Sequence, residues 1–179
     1  MDLRKLLKEH GFEGKDDLGI VALQGTADSG KTTTLNLLLN LMVCEYGEPK
    51  EIFDRQGGIV ELQRDIAIGD IHDRSWLFEI NINDVSKRIG ITTLGDDPLN
   101  IIRKFKKFGK CDLYVCAIHT FGDTVELVKK LTRNGKLYVY GRSTSAVFGA
   151  RVKITQEKQR ENIDKWQAKK LLDEIIKYV

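Results

Sequence analysis

A short glycine-rich segment, residues 25–32, carries the residue types in this chain that are best suited to phosphate chemistry. It reads Gly25-Thr26-Ala27-Asp28-Ser29-Gly30-Lys31-Thr32. Glycines let the main chain turn tightly and approach a ligand closely, and the N–H groups of such a loop can converge on phosphate oxygens. Lys31 would bring a positive charge to the β- and γ-phosphates, Thr32 a hydroxyl ligand for Mg²⁺, and Thr33 a contact to the α-phosphate. The spacing predicts a phosphate-binding loop formed by residues 25–33.

The sequence on either side of the loop supports this prediction. Residues 19–24 form a short, continuously apolar run, which is typical of a strand buried on both faces. Leucines and other apolar residues between Leu35 and Val43 predict a buried helix. A loop between such a strand and helix receives the partial positive charge of the helix amino end.

The remaining chain predicts alternating strands and helices. Residues 2–10 form an amphipathic helix, residues 45–73 are expected to be loop with short local structure, and two alternating runs predict an antiparallel hairpin. The further predicted elements are hairpin strands at 76–82 and 88–94, a helix from Pro98 to Phe108, a strand at 113–118, a helix around 125–131, a strand at 137–140 and a last helix with Ile163, Trp166, Leu171, Leu172, Ile175 and Ile176 on its apolar side. This order predicts one α/β domain spanning residues 1–179. The expected fold is a three-layer αβα sandwich with a mostly parallel sheet and one antiparallel strand.

The composition excludes several classes of protein. Of 179 residues, 41% are hydrophobic and 31% charged, and the formal net charge is only +3, so a nucleic-acid partner is not indicated. No apolar run is long enough for a membrane span or a signal peptide, which predicts a cytoplasmic protein without a membrane partner. The three cysteines form no CxxC pair, and Cys111 and Cys116 are expected at a strand start and in the core.

Residues 19–44 resemble the Walker A region of the P-loop nucleoside triphosphatases, since every fixed position of G-x-x-x-x-G-K-[ST] is present. The resemblance implies a P-loop NTPase fold and binding of ATP or GTP with Mg²⁺. Most members of that superfamily hydrolyse the nucleotide or transfer its γ-phosphoryl group. The partner implied is therefore a nucleoside triphosphate.

The element order from about residue 19 to 141 resembles that of the Ras-type small GTPases, in which a hairpin follows the first helix. Their Asp-x-x-Gly motif is replaced by residues 92–95, Thr-Thr-Leu-Gly, and their Asn-Lys-x-Asp motif by residues 141–145, Gly-Arg-Ser-Thr-Ser. Because the guanine-reading residues are missing, ATP is expected rather than GTP.

A carboxylate that completes the magnesium or water site is expected at the end of a strand beside the first one. Asp96 is the leading candidate and Asp70 the next, although Asp96 or Asp97 could simply cap the helix near Pro98. Asp28 could approach the γ-phosphate, or occupy a position of the loop that has no role. His119, at the end of the strand 113–118, could position the nucleotide, although a structural role is the main alternative.

Other charged segments allow simpler interpretations. Residues 70–72, Asp-Ile-His, match the first metal motif of calcineurin-type phosphoesterases, but the further motifs are missing, so a polar turn is preferred. The lysines of residues 103–108 are expected on the solvated side of an amphipathic helix rather than as a nucleic-acid patch. Arg142, Arg151 and Arg160 could close over phosphates as a lid, supply an arginine finger in cis, or belong to a solvated loop.

Three functions remain open from the sequence. The first is a Mg²⁺-dependent NTPase that hydrolyses ATP slowly, with Lys31 and Asp96 as catalytic residues and residues 45–73, which contain Arg55 and Arg64, as a switch or protein-partner surface. The second is a kinase for a nucleotide or small metabolite, with residues 45–73 as the acceptor site. The third is a non-catalytic nucleotide-binding module.

Overall fold

The computed structural model describes residues 2–26, 29–59, 73–141 and 153–179, with side-chain surroundings given for all of these except 138–141 and 153–160. Within these residues the elements are α1 (Leu3–Glu9), β1 (Ile20–Gln24), α2 (Lys31–Tyr46), β2 (Glu51–Phe53), β3 (Ser75–Ile82), β4 (Val85–Thr92), α3 (Pro98–Phe108), β5 (Leu113–Ile118), α4 (Asp123–Leu131), β6 (Leu137–Gly141) and α5 (Lys153–Tyr178). None of the helices in these ranges is long and apolar enough to cross a membrane.

Six strands form one mixed sheet in the order β2-β3-β4-β5-β1-β6. Strand β3 is antiparallel to both of its neighbours, whereas the pairs β4–β5, β5–β1 and β1–β6 are parallel. The predicted α/β class and the single antiparallel strand are confirmed. Parallel strands joined by helices bring their carboxyl ends to one edge of the sheet, here called the carboxyl edge.

Helices cover both faces of the sheet because alternate strand residues point to opposite sides. Val21 and Leu23 of β1 pack on one face with α2 and α5, and Ile20 and Ala22 pack on the other with α1, α3 and α4. All four side chains are fully buried. The continuously apolar run of β1 therefore reflects burial on two faces, as the sequence predicts.

The β3–β4 hairpin is tighter than predicted. Its turn consists of Asn83 and Asp84 alone, both with positive φ (50° and 63°), so residues 85 and 86 belong to β4 rather than to the turn. Asparagine and aspartate tolerate this left-handed conformation better than other side-chain-bearing residues, which explains how two residues suffice. Between α2 and the hairpin, the described part of the 45–73 segment contains the short edge strand β2 and a turn at residues 54–58.

The last helix differs from its predicted pattern. Ala168, Leu171 and Ile175 are buried against α2, but Ile163 and Trp166 are 42% and 64% exposed. The expectation that these two residues lie on the apolar side is wrong. Helix α2 follows the carboxyl end of β1 and therefore runs away from the carboxyl edge. Helix α5 runs in the same direction, since the Lys136 ammonium before β6 lies 5.9 Å from the Tyr178 ring near the end of α5.

Candidate functional site

The two glycines of the loop at residues 25–32 are needed for different reasons. A Cβ atom added to Gly25 would collide with the Ser29 hydroxyl oxygen and lie 3.3 Å from the Ser29 Cβ, so the loop closes on itself too tightly for a side chain. Gly30 has a φ of +82° and is the N-cap of α2. This left-handed conformation favours glycine. The chain thus leaves β1, turns back on itself and enters α2 within a few residues. This turn between β1 and α2, at residues 25–30, is called the curl.

Lys31 is the first residue of α2, and its side chain is folded back over the curl. Its ammonium donates to the carbonyl oxygens of Gly25 at 3.1 Å and Thr26 at 2.7 Å. The residue is only 7% exposed. A full positive charge is therefore held inside the curl at the carboxyl edge of the sheet.

The amino end of α2 adds to this positive potential. The cap residue Gly30 has no side chain to accept from the first turn, and that turn contains no acidic residue. The first N–H groups of a helix have no acceptor within the helix and carry the positive end of its dipole. The local electrostatics therefore favour an anion.

The Ser29 hydroxyl lies inside the curl without a partner. The residue is 7% exposed and its oxygen has no hydrogen bond within the described structure. A buried hydroxyl without a partner costs about 1–3 kcal/mol, which a ligand atom able to bond it would recover. Thr32 and Thr33 follow in the first turn and are half-buried, whereas Ala27 and Asp28 lie outside the described residues.

A second polar group lies at the same edge, where β4 and β5 end. The Asp96 carboxylate is 3.4 Å from His119 Nε2, and its side chain is 81% exposed. Gly95 makes this approach possible, because a Cβ there would collide with the Ala117 carbonyl oxygen. Asp97, and not Asp96, caps α3, accepting from the Leu99 N–H at 3.0 Å. Asp96 thus has no capping role.

The position of this pair corrects one expectation. Strand β4, which leads to Asp96, is not beside β1, because β5 lies between them. His119 directly follows β5, one of the two strands beside β1. The Gln24 side-chain amide donates to the carbonyl oxygen of the next residue, Thr120, at 2.9 Å. The sequence predicts the strands that lead to these residues, although it misses β2, but it gives no signal for strand order, which depends on contacts between distant segments.

The other candidates are not brought to this edge within the described structure. Asp70, His72, Arg64, Arg142 and Arg151 lie outside the described residues, as does the side chain of Arg160. Burial raises the pKa of Cys111 to about 11 and that of Cys116 to about 12, so both remain thiols at neutral pH, in agreement with the structural roles expected for them.

Within the described ranges, no three His, Cys, Asp or Glu side chains are grouped closely enough to hold a metal ion. Mg²⁺ commonly uses only one or two protein oxygens together with phosphates and waters. Thr32 and Asp96, the residues predicted from the sequence to bind it, carry a hydroxyl and a carboxylate oxygen, which are ligands of the kind that Mg²⁺ uses. Comparison of the chain with protein-family models, with curated proteins and with solved structures finds no match.

Proposed function

We propose that this chain has a P-loop NTPase fold, binds ATP with Mg²⁺ and hydrolyses it slowly. The observation that carries the proposal is the buried Lys31 ammonium, held inside a closed curl between a parallel strand and the amino end of a 16-residue helix. A buried lysine is costly unless its charge is compensated. Its ammonium donates to two carbonyl oxygens, and the oxygens of a polyphosphate would be acceptors of opposite charge.

The residues of the curl would share the binding of the phosphates. Lys31 would move its ammonium from the Gly25 and Thr26 carbonyls to the β- and γ-phosphates and would stabilise the charge that develops on the transferred group. The first N–H groups of α2 would donate to phosphate oxygens, and the Ser29 hydroxyl would gain a partner. Thr32 would hold Mg²⁺, which neutralises phosphate charge when bound.

Asp96 and His119 would act on the side of the curl where β5 and β4 end. The Asp96 carboxylate could hold the metal ion through a water molecule or orient the attacking water, and His119 would fix its position. Because Asp96 is 81% exposed, bulk water has access to this part of the site. Slow hydrolysis is consistent with an open site, since exclusion of water strengthens electrostatic catalysis.

The choice of ATP rests on the absence of the Asn-Lys-x-Asp residues that the resemblance to Ras-type GTPases would require. Isothermal titration with ATP, GTP and the deoxynucleotides, each with Mg²⁺, measures this preference directly. Tighter binding of GTP would overturn the assignment of the base while leaving the phosphate site intact.

The decisive variant is Lys31→Ala. Loss of charge-assisted hydrogen bonds to the phosphates should weaken ATP binding about a hundredfold, equivalent to about 3 kcal/mol. Lys169→Ala, which removes an exposed lysine on α5, is the matched control and should bind as the wild type does. Unchanged affinity in a folded Lys31→Ala variant would refute the proposal.

Phosphate release separates the possible reactions. An NTPase releases phosphate from ATP without an added acceptor, whereas a kinase forms ADP only when an acceptor is supplied. Tight ATP binding without turnover under either condition would leave a binding module and remove the hydrolytic part of the proposal.

A further inference from the structure

The face of α3 that turns toward the edge strand β2 differs from its predicted character. The sequence places Lys104 on the solvated side of the helix, but this residue is 4% exposed. Its ammonium donates to the Asp54 carbonyl oxygen at 2.5 Å. The Gly57 N–H donates to the same oxygen at 3.2 Å. Lys104 thus fixes the 54–58 turn onto α3.

Four cations line the cleft between this turn and α3. The cleft has a volume of about 260 Å³ and is lined by Arg55, Gln56, Gly57, Asn100, Arg103, Lys104 and Lys107. On α3 the lining residues are spaced i, i+3, i+4 and i+7, which places them on one helix face. We name this the α3–β2 cleft.

Among the residues that the structure describes, the four cations of the cleft, Arg55, Arg103, Lys104 and Lys107, have no salt-bridge partner. The Asp54 carboxylate acts electrostatically on Lys104, and it accepts from the Gly58 N–H at 2.7 Å. Like charges held together repel, and a buried cation is costly, so an anion would relieve both penalties.

The cleft is separate from the phosphate loop. Strand β2 is four strands away from β1 in the sheet, which corresponds to about 19 Å at the usual strand spacing of about 4.8 Å. A ligand in the α3–β2 cleft would therefore not contact Lys31. The inference does not depend on the proposed nucleotide site.

We propose that the α3–β2 cleft binds a compact phosphorylated small molecule through its phosphate or diphosphate group. The volume is below the range of about 300–1,000 Å³ typical of pockets that enclose a whole drug-sized ligand, which favours an anionic head group. Arginine binds phosphate oxygens in pairs, and four cations match a multiply charged anion better than one carboxylate.

A nucleic-acid backbone fits these observations less well. The next lysines along this part of the chain, Lys106 and Lys110, line a different cavity, toward the amino ends of β1 and β5. The cations of the cleft therefore form a cluster rather than the stripe that a run of phosphates would follow.

The test is a titration of the full chain with inorganic pyrophosphate in the absence of Mg²⁺, monitored by the amide NMR signals. NaCl keeps the ionic strength constant throughout the titration. We expect saturable shifts at residues 55–57 and 100–107, separable by position from any shifts at residues 29–33. The double variant Arg103→Gln/Lys107→Gln should bind at the cleft about tenfold more weakly for each cation removed. Both side chains are exposed, so the fold should persist.

Lys169→Gln/Lys170→Gln, an exposed pair on α5, is the matched control and should bind as the wild type does. Shifts confined to residues 29–33, or equal affinity in the Arg103/Lys107 variant, would refute anion binding at the α3–β2 cleft. The proposed phosphate loop at residues 25–33 would be unaffected by either result. Shifts reproduced by NaCl alone would also overturn it. If a single-stranded oligonucleotide binds more tightly than pyrophosphate, with shifts that spread to Lys106 and Lys110, the proposal of a small-molecule ligand is wrong and the ligand is a nucleic acid.

Discussion

Two of the lysines whose side chains the structure describes, Lys31 and Lys104, are almost fully buried, and they are held there in different ways. Lys31 is 7% and Lys104 4% exposed, and each ammonium donates to main-chain carbonyl oxygens. The two carbonyl oxygens that accept from Lys31 are five and six residues away, within the loop that precedes it. The partner of Lys104 is 50 residues away, in a turn beyond two strands. The first arrangement is local and the second depends on the complete fold.

The proposed function requires ATP turnover at the carboxyl edge and none at the α3–β2 cleft, and Asp96→Asn tests this with the largest expected effect. Loss of the carboxylate should lower Mg²⁺-dependent ATP hydrolysis about a hundredfold, as removal of a group that acts on the attacking water does. ATP affinity should stay within a few fold, and pyrophosphate shifts in the α3–β2 cleft should not change.

Asp97→Asn is the matched control for this variant. The substituted side chain would still cap α3, because asparagine caps helices about as well as aspartate. Hydrolysis should therefore be retained. If Asp96→Asn keeps full activity, the carboxylate role moves to another residue, with Asp70 the next candidate.

Two glycine substitutions sharpen the contrast between the two regions. Gly25→Ala places a Cβ 3.3 Å from the Ser29 Cβ and closer still to its hydroxyl, so the curl must open. We expect a loss of about 1–3 kcal/mol in unfolding free energy and a parallel loss of ATP affinity. Urea unfolding and titration calorimetry measure the two effects.

Gly57→Ala should act only through the backbone. Gly57 has a φ of +94°, and the nearest atom to an added Cβ is the Lys104 ammonium nitrogen at 3.9 Å, an ordinary contact. The expected cost is about 1–2 kcal/mol of conformational strain, with ATP binding unchanged. Equal loss of ATP affinity in the Gly25→Ala and Gly57→Ala variants would show that the two regions are coupled, and would contradict their independence.

The same contrast explains what the sequence predicts and what it does not. Local patterns identify the strand–loop–helix unit at residues 20–46, the hairpin and the Pro98 helix, because each depends on neighbouring residues. The burial of Lys104 and the pairing of Asp96 with His119 depend on strand order, which local patterns do not encode. The exposure of Trp166 has the same origin, since nothing in its helix shows where the sheet ends.

Ser29→Ala separates the effect of the Ser29 hydroxyl on the unfolding free energy from its effect on ATP affinity. Because the buried Ser29 hydroxyl has no partner in the described structure, its removal should leave the unfolding free energy unchanged or raise it by up to about 1 kcal/mol. ATP affinity should fall up to about tenfold. Ser75→Ala is the control, since the Ser75 hydroxyl bonds that of Thr92 at 2.9 Å, and it should cost about 1–2 kcal/mol. Destabilisation by Ser29→Ala as large as that would mean that the Ser29 hydroxyl already has a partner.

The smallest effect concerns the charge of Lys104. Burial lowers the pKa of Lys104 below its ordinary value of 10.5, and Lys107 adds to this, while the Asp54 carboxylate opposes it. At neutral pH, Lys104→Met should change the unfolding free energy by no more than about 1 kcal/mol, because the lost hydrogen bond is offset by the removal of a buried charge.

The difference in unfolding free energy between the wild type and Lys104→Met should change with pH in a direction that the lowered pKa fixes. Between the lowered pKa in the folded chain and 10.5, the unfolded chain binds more protons at Lys104 than the folded chain does. Raising the pH through this window therefore stabilises the wild type relative to Lys104→Met. Urea unfolding of both proteins at about pH 7 and about pH 10.5 measures the change, and titrations shared by both cancel in the difference. A difference in unfolding free energy that does not change with pH, or that favours the variant as the pH rises, would show that the Lys104 charge is compensated within the cleft. The argument that the cleft needs an anion would then fail.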